Sequence, residues 1–306
     1  MVGRRMNICV VQFGCLGKYH SLYETITKQP EKKSLTTQVQ KHPKEIETQS
    51  VDLGKITSDN WLNLSIDNHK KYCDVHGYKY YFHELDDMPS DRNITWYKIK
   101  AIKNVMSDSS IDWIFYCDLD TLVMNELTKL EDIIHMGELL GKDLILPEQK
   151  TFSSRTIYSK RLITVPIGTN AGQFFIKNCK WSNIWLDKFW NFPHEYIKHS
   201  NLLTSKYHDN DALNIMFSSN ICETRFNSVL APARTFNSYF KPYSRGAKQN
   251  KNIAFERNEK FYNHGDFKIH FAGYNFSQRQ FLFDEYLAGK SPTGFRSYLQ
   301  LKKLEG

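Results

Sequence analysis

The chain has 306 residues, is 41% hydrophobic and 14% aromatic, and carries a net charge of +8. That is enough apolar material for one large domain or two modest ones, and the charge favours anionic partners. No apolar run reaches transmembrane length, the six cysteines are scattered without a C-x-x-C pair, and there is no zinc-knuckle spacing, RNA-binding aromatic signature or arginine-rich arm, which sets aside a membrane span and a disulfide framework and leaves nucleic acid a minor reading.

Met6–Phe13 (MNICVVQF) reads as a first strand, followed by Gly14 and Gly17. A strand entering a glycine-bearing turn is where α/β folds receive nucleotides, although G-x-G-x-x-G is absent. Met6–Val11 is too short for a signal-peptide core, so the sequence as it stands points to a soluble, cytoplasmic chain, and its N-x-S/T sequons at Asn63, Asn93 and Asn275 read as chance. Residues 24–57 are polar and aperiodic, the pattern of a long, partly mobile excursion. Ser58 or Asp59 caps a predicted helix that starts near Trp61, carries Leu64, Asn68 and Tyr72 at helical spacing and stops at Gly77. Tyr78–His83 is an aromatic strand. Trp96–Met106 is helical, with Ile99, Ile102 and Met106 inward and Lys98, Lys100 and Lys103 elsewhere. Trp113–Cys117 is a short apolar run without helical spacing, the mark of a buried strand. Leu127–Leu140 reads as a helix and Asp143–Pro147 as another short strand. This β-α-β-α-β alternation predicts an α/β domain with a mainly parallel sheet covered on both faces.

The second half is less regular. Arg155–Ile167 mixes basic and apolar residues, and Thr169–Ile176 combines a turn with a strand. Trp181, Trp185 and Phe189 share a helical face, and His208–Met216 opens with a capping pattern and continues as an amphipathic helix. Leu230–Tyr239 is strand and loop, residues 241–260 form a basic loop, and Lys268–Gly273 is the last short strand.

Two acids, Asp118 and Asp120, fall at the end of the apolar strand Trp113–Cys117. Charge there is costly unless paired, hydrogen-bonded or bound to a cation. Ligands of open α/β sheets bind outside the carboxyl ends of the strands. Two carboxylates at that place suit a hard divalent ion, which in turn suits a phosphate-bearing substrate. A lone D-x-D is a weak signal, but three further clusters stand at predicted strand ends or helix starts: Asn170-Ala171-Gly172-Gln173, Asp209-Asn210-Asp211 and His270.

The order of motifs resembles glycosyltransferase family 34, the galactosyl-, mannosyl- and xylosyltransferases of plants and fungi. It is carried by ITSDNWLNLSIDNHKKYCDVHGYKYYF (Ile56–Phe82), TWYKIKAIKNVM (Thr95–Met106), FYCDLDTLVMN, TNAGQFFIKNCKWS (Thr169–Ser182), HDNDAL (His208–Leu213), PARTFNSY (Pro232–Tyr239) and IHFAG (Ile269–Gly273). The resemblance implies a single GT-A domain over residues 1–306, with one Rossmann-like, mostly parallel mixed sheet flanked by helices. Residues 6–150 would be its nucleotide-binding half, 151–275 its acceptor- and metal-binding half, and 276–306 a C-terminal tail.

It further implies that Asp120 binds the metal directly, that Asp118 contacts the ribose or the metal through water, and that His270 is the third protein ligand. The ion implied is Mn²⁺, with Mg²⁺ as the other candidate; oxygen donors with one imidazole suit Mn²⁺ better than Ca²⁺. Asn170, Gly172 and Gln173 would line the sugar pocket, with Gln173 a catalytic candidate beside Asp209, which would sit at the anomeric carbon or the sugar hydroxyls. Asn210 stands where the family usually has Gln, which changes the reach of the pocket. Lys98 is a candidate nucleotide contact, although its place in the pattern reads as a solvated helix face, and Asp211 reads as structural. Lys241, Arg245 and Lys248 of the basic loop could close over the phosphates. The implied substrates are a nucleotide-sugar donor, UDP-linked, and a glycan acceptor, joined with retention as an α-linkage; a homodimer stays open. The family typically carries an N-terminal anchor and stem, for which this sequence shows no counterpart.

Two other readings use the same residues. FYCDLDTL fits the D-x-D-x-T signature of haloacid dehalogenase-type phosphatases, with Asp118 as nucleophile and Asp120 as acid/base, although those enzymes carry it on their first strand. A non-catalytic carbohydrate- or nucleic-acid-binding protein would account for the aromatics and the charge.

Overall fold

The computed structural model describes residues 5–14, 61–85, 92–155, 162–193, 209–240, 261–274 and 276–289. The excursion at 24–57, the Ser58/Asp59 cap, Gly17, His208 and the basic loop with Lys241, Arg245 and Lys248 lie outside them.

The main sheet is mixed. β1 (Ile8–Gly14) lies parallel between β2 (Lys79–Glu84) and β3 (Trp113–Cys117). β7 (Gln173–Lys177) runs antiparallel between β3 and β5 (Leu144–Arg155), and β8 (Ser228–Ala231) continues parallel to β5. The strands β1 and β3 are wholly buried, and their alternate residues serve opposite faces. Cys9, Val11, Ile114 and Tyr116 join one core with Ile99, Ile102, Trp185, Phe189 and Leu213. Ile8, Val10, Trp113 and Phe115 join another with Tyr72, Cys73, Ile133 and Ile134. Helices α2 (Lys98–Met106), α4 (Lys180–Phe192) and α5 (Asp209–Ser218) therefore cover one face, and α1 (Trp61–His76) and α3 (Leu130–Leu139) the other. This double cover is why β1 and β3 read as continuous apolar runs rather than alternating ones.

A small second sheet sits past the carboxyl end of β3. Its centre is β10 (Lys268–His270), antiparallel to β4 (Thr121–Val123) and parallel to β9 (Ser238–Tyr239). α1 fastens it: Asn68 exchanges two hydrogen bonds with the backbone of Val123, and the Ser65 hydroxyl donates to the Thr121 carbonyl. Helix α1 ends at Gly77, whose φ of +70° is the left-handed turn that glycine takes without strain.

Two segments depart from expectation. β5 does not end at Pro147 but continues to Arg155 and forms an antiparallel ribbon with β6 (Leu162–Thr169), where no element was expected. The ribbon's sequence carries no clean alternation, and the strand is seen in the pairing across the ladder. The span 276–306, expected as a tail, includes helix α6 (Phe276–Leu287), with Leu282 and Phe283 fully buried. Its buried face also includes Gln278 and Glu285, so polar residues at the buried positions mask the helical pattern. Among the described residues the five cysteines are free, and no helix is long and apolar enough to cross a membrane.

Candidate active site

The site is built on the turn Asp118–Asp120, where the chain leaves the main sheet at β3 and enters the small sheet at β4. The Thr121 hydroxyl donates to the Asp118 carbonyl at 2.7 Å and closes that turn. The Asp118 N–H donates to the Gly172 carbonyl at 2.7 Å, and the Phe271 N–H donates to the Asp120 carbonyl at 2.8 Å. The two acids are thus tied by backbone to the loop before β7 and to the end of β10.

Asp118, Asp120 and His270 each offer a ligand atom within 4.8 Å of the others. His270 Nδ1 lies 2.8 Å from Asn237 Oδ1, which also accepts from Gln173 Nε2 at 2.7 Å. An amide oxygen accepts, so Nδ1 carries a proton and Nε2 is the ring atom turned to Asp120 Oδ1, 3.2 Å away. Tyr239 stacks on the imidazole, with ring centroids 5.5 Å apart, and fixes its plane. Tyr116 and Lys98 both bond Asp118 through Oδ1. Gly172 closes the space beside these groups. A Cβ there would lie 2.7 Å from His270 Cε1, 2.8 Å from Asn170 Oδ1 and 2.9 Å from Asp118 Oδ2, so only glycine lets the loop approach so closely. Two carboxylates and one imidazole with Nε2 turned inward form a donor set that fits a divalent ion such as Mn²⁺.

Lys98 departs from the solvated helix face its position suggested. It is 2% exposed, and its ammonium lies 3.1 Å from Asp118 Oδ1 and 2.8 Å from Asp209 Oδ2 and donates to the Ala171 carbonyl at 2.8 Å. Burial alone would depress its pKa; the two aspartates outweigh it and raise the value above the ordinary lysine range. Lys98 therefore remains charged and joins the acid at the end of β3 to the acid that opens α5.

The two acids of the pair are held in opposite senses. Burial raises the Asp118 carboxyl, assisted by the charges of Asp120 and Asp209 and opposed by Lys98. At Asp120 burial acts the same way but is outweighed by Arg279 and His270, which hold the carboxyl well below the usual carboxylate range. Arg279, from α6, reaches Asp120 Oδ2 at 2.7 Å.

The remaining predicted residues fall around this centre. Asn170 Oδ1 accepts from the Gly172 N–H, and Asn210 Oδ1 accepts from the Ala171 N–H at 2.9 Å, so Asn210 holds the 170–172 loop. Asn214 extends that hold through both backbone groups of Thr169. Gln173 is fully buried beneath the site, against Asn237. Asp118, Asp120, Asn170, Gly172, Gln173, Asp209, Asn210, Lys98 and His270 thus converge on one region. Sequence reasoning missed Arg279, Tyr116 and Asn237. Asn237 lay inside PARTFNSY without a role, whereas Arg279 lay in a stretch with no readable signal.

The galactosyl transferase GMA12/MNN10 family, glycosyltransferase family 34, matches residues 46–280. The chain belongs to this family. An uncharacterized α-1,2-galactosyltransferase of Schizosaccharomyces pombe is 32% identical over 44% of the chain and 40% of its own length. A probable α-1,6-mannosyltransferase, MNN10 of Saccharomyces cerevisiae, is 27% identical over 70% of the chain and 56% of its own length. The chain thus spans about half the length of these curated relatives. Among solved structures, a glycosyltransferase involved in glycosylation of the major capsid of PBCV-1 superposes with a TM-score of 0.53 at 13% identity, over 91% of this chain and 98% of that one. The shared fold is the GT-A fold expected of the family.

Proposed function

We propose that the protein is a metal-dependent, retaining glycosyltransferase that moves a hexose or pentose from a nucleotide sugar, UDP-linked, to a hydroxyl of a glycan, forming an α-linkage. The observation that carries this reading is the convergence of Asp118, Asp120 and His270 Nε2 beside Asp209 and the 170–172 loop. When bound there, a Mn²⁺ ion, or Mg²⁺ in its place, supplies Lewis-acid neutralisation of the leaving diphosphate.

The chain's own residues do the rest. Asp120 and His270 hold the ion, the first kept ionised by Arg279 and the second oriented by Asn237. Asp118 presents Oδ2 while Lys98 and Tyr116 fix Oδ1. Asp209, held through Lys98 to the same framework, is placed to face the transferred sugar and to stabilise positive charge developing at its anomeric carbon. Asn170 and Gly172 line the sugar pocket. Gln173 acts through Asn237 as a positioning residue, and Asn210 shapes the pocket by holding the loop. The names of the two relatives divide between galactose and mannose, so the donor sugar is the first quantity to establish.

The phosphatase alternative requires Asp120 as a proton donor. A carboxyl held well below its ordinary range is a poor general acid near neutrality.

The test is incubation with UDP-galactose, UDP-glucose, UDP-xylose and GDP-mannose in the presence of Mn²⁺, followed by assay of nucleotide release. One donor should turn over, with metal required and Asp120→Ala inactive. Phosphate release from a simple ester without nucleotide-sugar turnover would overturn the reading.

A further inference from the structure

Two described cations pair with the acids of the site, and they differ in what they have left to offer. Lys98 donates to Asp118 and to the Ala171 carbonyl, pairs with Asp209 at 2.8 Å, and is 2% exposed, so it turns no open face to a ligand. Arg279 spends one hydrogen bond, from Nη2 to Asp120 Oδ2. Its Nε is buried without an acceptor, and 24% of its side chain is open to solvent. The guanidinium carbon stands 5.2 Å from the centre of the Trp61 ring, which steadies the fork from one side.

The charge balance points the same way. Asp118, Asp120 and Asp209 carry three negative charges, against two positive charges on Lys98 and Arg279. A divalent ion turns that single negative excess into a single positive one. A nucleoside diphosphate carries more negative charge than that, and its outer oxygens need donors. A planar guanidinium with unused N–H groups is the side chain best shaped to supply them.

We propose that Arg279 binds the diphosphate of the donor directly, keeping Nη2 on Asp120 and offering its remaining N–H groups to phosphate oxygens across the metal site. This rests on the glycosyltransferase reading. It adds that helix α6 forms part of the donor site and that Arg279 joins the metal ligand to the leaving group. Arg279 thereby serves twice: it bonds Asp120 Oδ2, and it stabilises the leaving phosphate.

The test separates those two tasks. Calorimetry should follow UDP binding in Mn²⁺ for the intact chain, Arg279→Gln and Arg279→Lys, while electron paramagnetic resonance measures Mn²⁺ affinity in the absence of nucleotide. Thermal melts would confirm that each variant is folded. Arg279→Gln should weaken UDP by about 10–100-fold while Mn²⁺ affinity changes about threefold or less. Arg279→Lys, which keeps the charge but loses the fork, should recover part of the loss. Equal losses of Mn²⁺ and UDP affinity would reduce Arg279 to a support for Asp120 and overturn the proposal, as would UDP binding unchanged in Arg279→Gln. Failure of the unsubstituted protein to bind UDP with Mn²⁺ would instead overturn the transferase reading, and this one with it.

Discussion

On one side of the site, Lys98 is sealed between Asp118 and Asp209, where the carboxyl end of β3 meets the start of α5. On the other, Asp120 shares its oxygens between His270 and Arg279, carried by the small sheet and by α6. In the first arrangement the cation is 2% exposed and closed in by two carboxylates and a backbone carbonyl. The second is open, with His270 Nε2 turned inward and Arg279 only partly used. Like charges in neighbouring places therefore do different work. The sealed pair fixes the frame, and the open one is arranged to receive a ligand.

The sharpest way to break this contrast is to remove the sealed cation. Lys98→Met leaves two carboxylates facing each other with no counter-charge, and should destabilise the fold by about 3–5 kcal/mol in urea unfolding. A loss below about 1 kcal/mol would mean that water solvates the pair and that the sealed side is not sealed.

On the open side the expected losses are of binding rather than stability. Asn237→Ala removes the acceptor that sets the His270 tautomer, and should weaken Mn²⁺ by about 10–100-fold. Gly172→Ala places a methyl group within 2.9 Å of Asp118, Asn170 and His270, so it should weaken Mn²⁺ by about tenfold while moving the unfolding midpoint less than Lys98→Met does. Unchanged Mn²⁺ affinity in either variant would remove that residue from the account of the metal group.

The smallest effect is a difference of sign with pH. Asp120 has a depressed carboxyl, so its contribution to metal-free stability is present above its ordinary value of 3.8 and is lost as pH falls through its folded value. Asp118 has a raised carboxyl, so its contribution is present below 3.8 and is lost as pH rises through its folded value. Its side chain keeps 30% exposure, so solvent screens part of this effect. Asp120→Asn should therefore destabilise the metal-free chain at neutral pH, with the loss shrinking in acid. The stability of Asp118→Asn relative to the unsubstituted chain should instead improve as pH rises from about 4 to 7. Parallel pH profiles for the two variants would contradict the opposed environments.

Much of the frame was legible in the sequence, because β1, β3, α1 and α2 are local patterns with one or two buried faces. The acids at the end of β3, the Asn170 loop, the Asp209 helix start and His270 were legible because each sits at a boundary that the pattern marks. What escaped depends on distant partners. The β5–β6 ribbon is set by pairing across the ladder. Lys98 is buried because Asp118 and Asp209 come from elements 20 and 111 residues further along the sequence to meet it. Arg279 lies on a helix whose buried face includes Gln278 and Glu285, so nothing in its neighbourhood separates inside from outside.

The central claim is that the open side is a metal–diphosphate site. The most direct measurement is calorimetric titration of the intact chain with UDP, with and without Mn²⁺, repeated on Asp120→Asn. The account predicts binding that requires Mn²⁺ in the intact chain and is lost in the variant. Equal binding without the metal, or binding that survives in Asp120→Asn, would contradict it.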